Sequence, residues 1–296
     1  MMIQSLDEVE RRRPLLVSLA YRLTGRAGEA EDLVQESYVR VLVEAREGYQ
    51  ATDEALVTTL TRLCLDYLSS DDVQQAHYEG PWLPEPALTA DDALPPLDTD
   101  LQRESISLAF LTLLDTVPPR ERAAYLLHDI FGYEDARVAS MLDVDIVDYR
   151  QAYAAAVERI AAARPRFEYA PDAQRDLTQE IVLACRQGDI AELKELLARD
   201  VTAWTDGGGQ VAAASRPIGG RDAVARYLAG YMQRSAGTSS MTYAEVNSGP
   251  ALLVGREESL AGVIAFDVAD DAVRGVRLLL NPDKLAFIER QLREIG

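Results

Sequence analysis

The residues best suited to acid–base chemistry fall late in the chain. Asp206 follows the apolar run Val201-Thr-Ala-Trp204 and opens the string Asp206-Gly-Gly-Gly209. A carboxylate held in a dry pocket has its ionised form disfavoured, so it can exchange protons near neutrality. Tyr243, Asn247 and Arg277 are of the types that polarise a carbonyl by hydrogen bonding. Asp206, Tyr243, Asn247 and Arg277 are therefore the candidate catalytic set, and Trp204, Asn281, Lys284 and Trp82 are candidates for a pocket wall or interdomain anchor. Asp-Gly-Gly-Gly equally suits a tight turn, because Asp and Gly tolerate positive φ, and Trp82 equally suits ordinary packing of its own segment. Both readings stand. Cys64, Cys185, His77 and His128 are the chain's full set of sulfhydryl and imidazole groups. A disulfide framework, a cysteine-rich zinc site and a multi-histidine metal centre are thereby excluded, and no cofactor or metal is expected.

The elements that must position these groups read first as helices. Leu15, Leu16, Leu19, Ala20 and Leu23 recur at helical spacing before Thr24-Gly25. Ala30 to Leu42 sets Leu33, Val34, Tyr38, Val41 and Leu42 on one face, with Asp32, Gln35, Glu36 and Arg40 opposite, and a third helix spans about Asp53 to Leu68. From Ser69 to Asp100 the periodicity stops, and Pro81, Pro84, Pro86, Pro95 and Pro96 mark a linker. Helical spacing resumes at Ile106, followed by a helix from Arg120 to Ile130, a short helix after Gly132, a turn at Leu142-Asp143-Val144, and a long helix from Asp145 to Ala163. Short helix, turn, longer helix is the outline of a helix-turn-helix. Beyond it the reading is two helices (Asp172 to Gln187, Ile190 to Ala198), a strand at Val201 to Trp204 and a helix from Arg221 to Gln233. Four β-like runs follow between Met241 and Leu280, which is an α+β pattern.

Composition limits the partners. The chain of 296 residues has 49 Asp+Glu against 30 Lys+Arg, a formal charge of −19, and 48% apolar residues. The deficit is spread throughout, at −7, −5, −3 and −4 for residues 1–80, 81–110, 111–168 and 169–296. Nucleic-acid binders normally present a positive face, because counterion release supplies most of the affinity. This charge also favours plain solubility. No apolar run approaches the ~20 residues of a membrane span, and the expectation is a soluble, cytoplasmic chain without a membrane partner.

Three strings in order carry a family resemblance: Tyr21-Arg22-Leu23 with Ala30-Glu31-Asp32-Leu33-Val34-Gln35-Glu36, then Gly80-Pro-Trp-Leu-Pro-Glu-Pro86, then His128-Asp-Ile-Phe-Gly-Tyr133. Asp206-Gly-Gly-Gly209, Asn247-Ser-Gly-Pro250 and Asn281-Pro-Asp-Lys-Leu285 follow. The chain resembles the extracytoplasmic-function sigma factors that carry a C-terminal SnoaL-like extension. The resemblance implies two all-α sigma-like modules, the second a helix-turn-helix, followed by an α+β SnoaL-like cone. The boundaries it suggests are 1–72, a linker at 73–102, 103–166 and 167–296. It also implies RNA polymerase core as a partner of Asp32, Gln35, Glu36 and Arg40, promoter contact by both helical modules, and an extension that regulates them or takes a small organic ligand.

The DNA-facing segments depart from that pattern. Ser69 to His77 contains two acids and neither Lys nor Arg where the family carries an arginine-rich run. In the long helix of the helix-turn-helix, Ala154, Ala155, Val157 and Glu158 stand where the family has His and Arg, and Asp143, Asp145 and Asp148 crowd the helix start. Arg150, Gln151 and Arg159 are the residual candidates for DNA contact. Losing about 6–10 phosphate contacts forfeits roughly three to five decades of affinity at moderate salt, so weak or absent autonomous promoter binding is expected. Lys284, one of two lysines with Lys194, has Glu85 and Asp91 as candidate partners. Three readings stay open: a divergent sigma factor, a repurposed chain whose SnoaL-like pocket acts as a cyclase or isomerase, and a scaffold that does not read DNA.

Overall fold

The computed structural model describes residues 6–47, 51–75, 78–89, 99–164, 170–235, 239–256 and 259–295. They divide into two units. The first comprises Met1–His77, Leu94–Ser105 and Phe110–Arg164; the second comprises Tyr78–Ala93, Ile106–Ala109 and Pro165–Gly296.

The first unit is helical. α1 (Leu6–Thr24), α2 (Ala27–Arg46) and α3 (Asp53–Gln75) pack on one another through the apolar positions that the spacing picks out, among them Leu16, Leu19, Leu23, Val34, Val41, Leu56, Leu60 and Cys64. Each helix runs beyond the apolar stripe that betrays it. α3 in particular continues through Ser69 to Gln75, where the sequence suggests linker. A helix once nucleated extends at little cost through residues of middling propensity.

α4 (Asp100–Ile106), α5 (Leu108–Asp115), α6 (Pro119–Tyr125) and a π-turn at Leu126–Ile130 precede α7 (Asp135–Met141) and α8 (Ile146–Ala163). Two buried arginines tie this unit together. Arg22 of α1 donates to Ser105 Oγ at 2.8 Å and to Gln102 O at 3.1 Å, while Arg122 of α6 donates to Leu23 O. The helix-turn-helix is present as expected. Asp143 takes a positive φ of 56° in its turn, and Asp145 caps α8 by accepting from Val147 N and Asp148 N, both at 2.8 Å.

The second unit is α+β, in accord with the SnoaL-like expectation. α9 (Pro171–Gln187) and α10 (Ile190–Leu196) lead into β1 (Leu197–Asp206) and the short β2 (Ile218–Gly219); α11 (Arg221–Ser235) and strands β3 (Ser239–Val246), β4 (Gly249–Arg256), β5 (Ser259–Ala269) and β6 (Ala272–Leu279) follow, and α12 (Pro282–Ile295) ends the chain. The sheet order is β2-β1-β6-β5-β4-β3, with β1 and β6 parallel and the other pairs antiparallel. β1 takes over residues 197 and 198 from the expected end of α10, and neither β2 nor α12 is foreseen in the sequence.

Strand alternation sends side chains to two faces. Leu252, Val254, Ile264, Phe266, Val276 and Leu278 pack with Ile181, Leu193, Val224 and Leu228 of α9, α10 and α11. Ala251, Leu253, Val263, Ala265 and Leu279 face the other way. This second face is covered by Leu285 and Ile288 of α12, by Leu108, and by Leu83 and Leu88 of the segment expected to be linker. The proline-rich stretch is thus a layer of the second unit. No helix among the described residues is long and apolar enough to cross a membrane.

Both cysteines are buried. Burial pushes the Cys64 thiol far up and the Cys185 thiol to about 12, and a thiol that stays protonated is a poor nucleophile. Ellman's reagent at neutral pH is expected to label neither thiol in the native protein and both after denaturation in urea; rapid labelling of the native chain would contradict this packing.

Candidate functional site

The residues singled out in the second unit are gathered into a clamp on the segment 78–89. At one end stands Asp206, 0% exposed at the close of β1. Its Oδ1 accepts from Tyr78 Oη at 2.5 Å and Gly208 N at 3.2 Å. Its Oδ2 accepts from Leu83 N at 2.8 Å and Lys284 Nζ at 2.7 Å. Lys284, in the first turn of α12 and 3% exposed, also donates to Leu83 O. Both backbone groups of Leu83 are therefore met by the two halves of one buried ion pair. The ammonium lies 4.2 Å from the Trp82 ring centroid and 4.7 Å from that of Tyr78, and each aromatic face stabilises the cation.

Local sequence explains the placement of each group. Asn281 caps α12, its Oδ1 accepting from Asp283 N at 3.1 Å, and Pro282 occupies the first helical position, where a missing N–H costs nothing. The Asn281 amide nitrogen also donates to Tyr78 Oη at 2.9 Å. Gly208 has φ +57°, and a Cβ there would lie 2.2 Å from Asn281 Nδ2, so the glycine string serves a turn that Asn281 closes over. Gln210 Nε2 donates to Asp283 Oδ2 at 2.6 Å.

The other end of the clamp is the β3–β4 hairpin. Asn247 and Ser248 have φ of 54° and 57°, as a two-residue hairpin turn with the twist of the strands requires. Asn247 Oδ1 accepts from Ala87 N at 3.0 Å, its Nδ2 donates to Ile106 O at 2.8 Å, and its own N–H donates to Ala87 O at 2.9 Å. Leu88 N donates to Gln291 Oε1 at 2.9 Å, and Thr89 Oγ1 donates to Glu245 Oε1 at 2.9 Å. Pro81, Pro84 and Pro86 carry no N–H, which lowers the number of donors that a buried extended segment must satisfy. Leu83, Ala87 and Leu88 are all buried, and burying each leucine contributes on the order of 1.5–3 kcal/mol.

The structure does not bring the candidate catalytic set together. Asp206 holds four donors, so a substrate proton would have to displace one of them. Asn247 serves the hairpin end of the clamp. Arg277 pairs with Asp267 and lies 4.7 Å from the Trp204 ring centroid, and Gly275 makes room for that pair, since a Cβ there would overlap Asp267 Oδ2. Tyr243 lies under the Arg175 guanidinium at 5.0 Å. The cavity beside Asn247 measures ≈ 30 Å³, room for a water or two rather than a substrate. Lys284 finds its ion-pair partner in Asp206; Asp91 lies outside the described residues. Tyr78 and Gln291 are clamp residues that the sequence reading missed; Tyr78 lies just ahead of the Gly-Pro-Trp string, and Gln291 sits in a helix not foreseen.

In the first unit, Asp32, Gln35, Glu36 and Arg40 share the solvent face of α2, with Arg40 Nε on Glu36 Oε1 at 3.0 Å. Val39 and Val43 of the same face are 57% and 49% exposed. On α8, Arg150 reaches Asp135 at 3.3 Å and Arg159 reaches Glu121 at 3.0 Å. Gln151 is exposed beside Val147, Ala154 and Glu158. The exposed residues from Asp143 to Glu158 include Asp143, Asp145, Asp148 and Glu158 against Arg150 as the basic residue. The side chains from Asp71 to His77 lie outside the described set.

The chain is similar to known proteins. The family description Sigma-70 region 2 matches residues 9–73, and Sigma-70, region 4 matches residues 107–160. The chain is 32% identical over 290 residues to the ECF RNA polymerase sigma factor SigJ of Mycobacterium tuberculosis (strain ATCC 25618 / H37Rv), covering 94% of this chain and 92% of the relative. It is 27% identical over 282 residues to a probable ECF RNA polymerase sigma factor, SigI, of Mycobacterium tuberculosis (strain CDC 1551 / Oshkosh), covering 95% and 94%. The crystal structure of the SigJ protein superposes with a TM-score of 0.74 at 30% identity, over 96% of this chain and 99% of that one.

Removing one partner of a buried ion pair leaves the other charge unpaired, at a cost of roughly 3–5 kcal/mol, whereas apolar replacement of both is far milder. Trp82 and Trp204 are the chain's two tryptophans and both lie in the second unit, so urea unfolding followed by tryptophan fluorescence reads that unit. Asp206→Asn and Lys284→Met are each expected to lose about 3–5 kcal/mol, and the double variant Asp206→Leu/Lys284→Met to lose less than either. Singles losing under about 1 kcal/mol, as exposed pairs do, would contradict the buried clamp.

Proposed function

The chain belongs to the ECF RNA polymerase sigma factors, and from that premise we propose that it joins core RNA polymerase through the exposed face of α2 and reads promoter DNA only as part of that assembly. The observation that carries the first part is Val39 and Val43, more exposed than apolar side chains usually are, amid Asp32, Gln35, Glu36 and Arg40. A valine pair rimmed by charge suits a protein surface: the apolar centre supplies affinity, and the charged rim supplies orientation and encounter rate.

Support for the second part is electrostatic. The arginines of α8 already face carboxylates. Exposed pairs of this kind are worth only about 0–1 kcal/mol, so a phosphate can recruit the guanidinium, but the acid left behind then repels that phosphate. Three aspartates at the start of α8 oppose phosphate at the helix end that would otherwise favour it. Phosphate contacts set the register in which bases are read, and here polymerase supplies that register. Arg150, Gln151 and Arg159 are left to fine contacts.

The extension serves by holding segment 78–89 rather than by turning over a substrate. Asp206, Lys284, Asn247 and Gln291 are spent on that segment, and this supports a structural and regulatory role over a cyclase or isomerase.

Run-off transcription from sheared genomic DNA tests the reading, with core polymerase alone, with the chain added, and with the variant Glu36→Lys/Val39→Asp. Start sites dependent on the wild-type chain are expected, with at least a ten-fold loss in the variant and a parallel loss of co-purified core. For the chain alone, fluorescence anisotropy on the DNA so identified is expected to show binding too weak to saturate at micromolar protein and 150 mM salt, with a salt slope no steeper than about −2. Absence of chain-dependent start sites would refute the polymerase reading, and tight binding by the isolated chain would refute the electrostatic one.

A further inference from the structure

At the end of the sheet where β4 stops, β5 begins and β6 stops, the second unit has a cavity of ≈ 380 Å³ that the clamp does not use. Val254 of β4, Leu280 just past β6 and Leu285 of α12 give it an apolar floor. Arg234 from the last turn of α11 and Arg256 from the end of β4 line it as well, as does Tyr231 of α11. Among the described residues neither guanidinium has a carboxylate partner and no acidic side chain lines the cavity. Glu257 and Glu258, next in sequence, lie outside the described set. None of Asp206, Tyr243, Asn247 or Arg277 contributes to it.

The volume lies within the range of small-molecule sites, about 300–1,000 Å³. An apolar floor removes the body of a ligand from water, which favours binding in proportion to the apolar area buried. Two arginines in the lining select the sign of its head group, and a planar guanidinium matches a carboxylate in a bidentate fork. In a chain of net charge −19, the surrounding field opposes anions, so an anion held here is held by these two groups. We propose that this cavity is a binding site for a small amphiphilic carboxylate, with its hydrocarbon body on Val254, Leu280 and Leu285 and its head on Arg234 and Arg256. The site goes beyond the polymerase reading and stands or falls independently of it.

Titration calorimetry on the full chain tests this with decanoate as probe, decan-1-ol as its neutral match and decyltrimethylammonium as its cationic match. Decanoate is expected to bind at one site, with the alcohol at least ten-fold weaker and the cation weaker still. The variant Arg234→Gln/Arg256→Gln is expected to weaken decanoate at least ten-fold and leave decan-1-ol unchanged. Both arginines are exposed, so its melting temperature is expected to match the wild type; if it does not, Arg234→Gln alone supports the same comparison. Equal affinity for decanoate and the alcohol, decanoate binding indifferent to the arginine variants, or no saturable decanoate binding would each overturn the proposal.

Discussion

Much of the second unit is organised around one buried charge pair. Asp206 and Lys284 are excluded from water, and neither would be tolerable there without the other. Their remaining hydrogen-bonding capacity is met by Leu83, Tyr78 and Gly208, and the lysine is further enclosed by two aromatic rings. The pair therefore demands that β1, α12 and the proline-rich segment arrive at one point together. An apolar substitute could fill the same volume, but it would not specify which backbone N–H and C=O must be brought to it. Specificity of docking is what the charge pair adds.

Two features make a proline-rich segment suitable for burial there. Pro81, Pro84 and Pro86 lower the count of N–H groups to be satisfied, and Leu83 and Leu88 supply apolar surface. The hairpin asparagine and Gln291 satisfy Ala87 and Leu88 by side chain. The sheet face covered by this segment and α12 is an ordinary core layer, which explains why groups suggestive of catalysis when read singly turn out to have neighbours in the chain itself as partners. In the helical unit the buried Arg22 and Arg122 join helices from within, while the exposed surface of α8 carries Asp148 and Glu158 beside Arg150 and Arg159.

Much of this was legible in the sequence. Stripes at helical spacing locate the helices of the first unit, Asp145 marks the start of α8, and the β-like runs between Met241 and Leu280 locate four strands. What escaped has physical causes. α12 announces itself by Asn281-Pro282-Asp283, a cap, a first-turn proline and an acidic first turn, but the same three residues equally form a turn, and only the apolar spacing beyond them separates the two. The end of α3 has no apolar stripe, so periodicity is blind to it. Asp206 reads in the sequence as a carboxylate at the end of an apolar strand; its partners Tyr78 and Leu83 lie more than a hundred residues away, and no local pattern links them. Of the residues grouped as pocket or anchor, Trp82, Asn281 and Lys284 do meet, because all three follow from where α12 and segment 78–89 come together.

The most direct test of this account is amide hydrogen exchange at Leu83, Ala87 and Leu88 in the intact chain. If these N–H groups are donors to Asp206, Asn247 and Gln291, they will exchange as slowly as the central strand β5, and Asp206→Asn will speed Leu83 far more than it speeds Leu88. Exchange of all three at the rate of an unstructured proline-rich peptide would show that the segment is a free linker and that the ion pair organises nothing beyond itself.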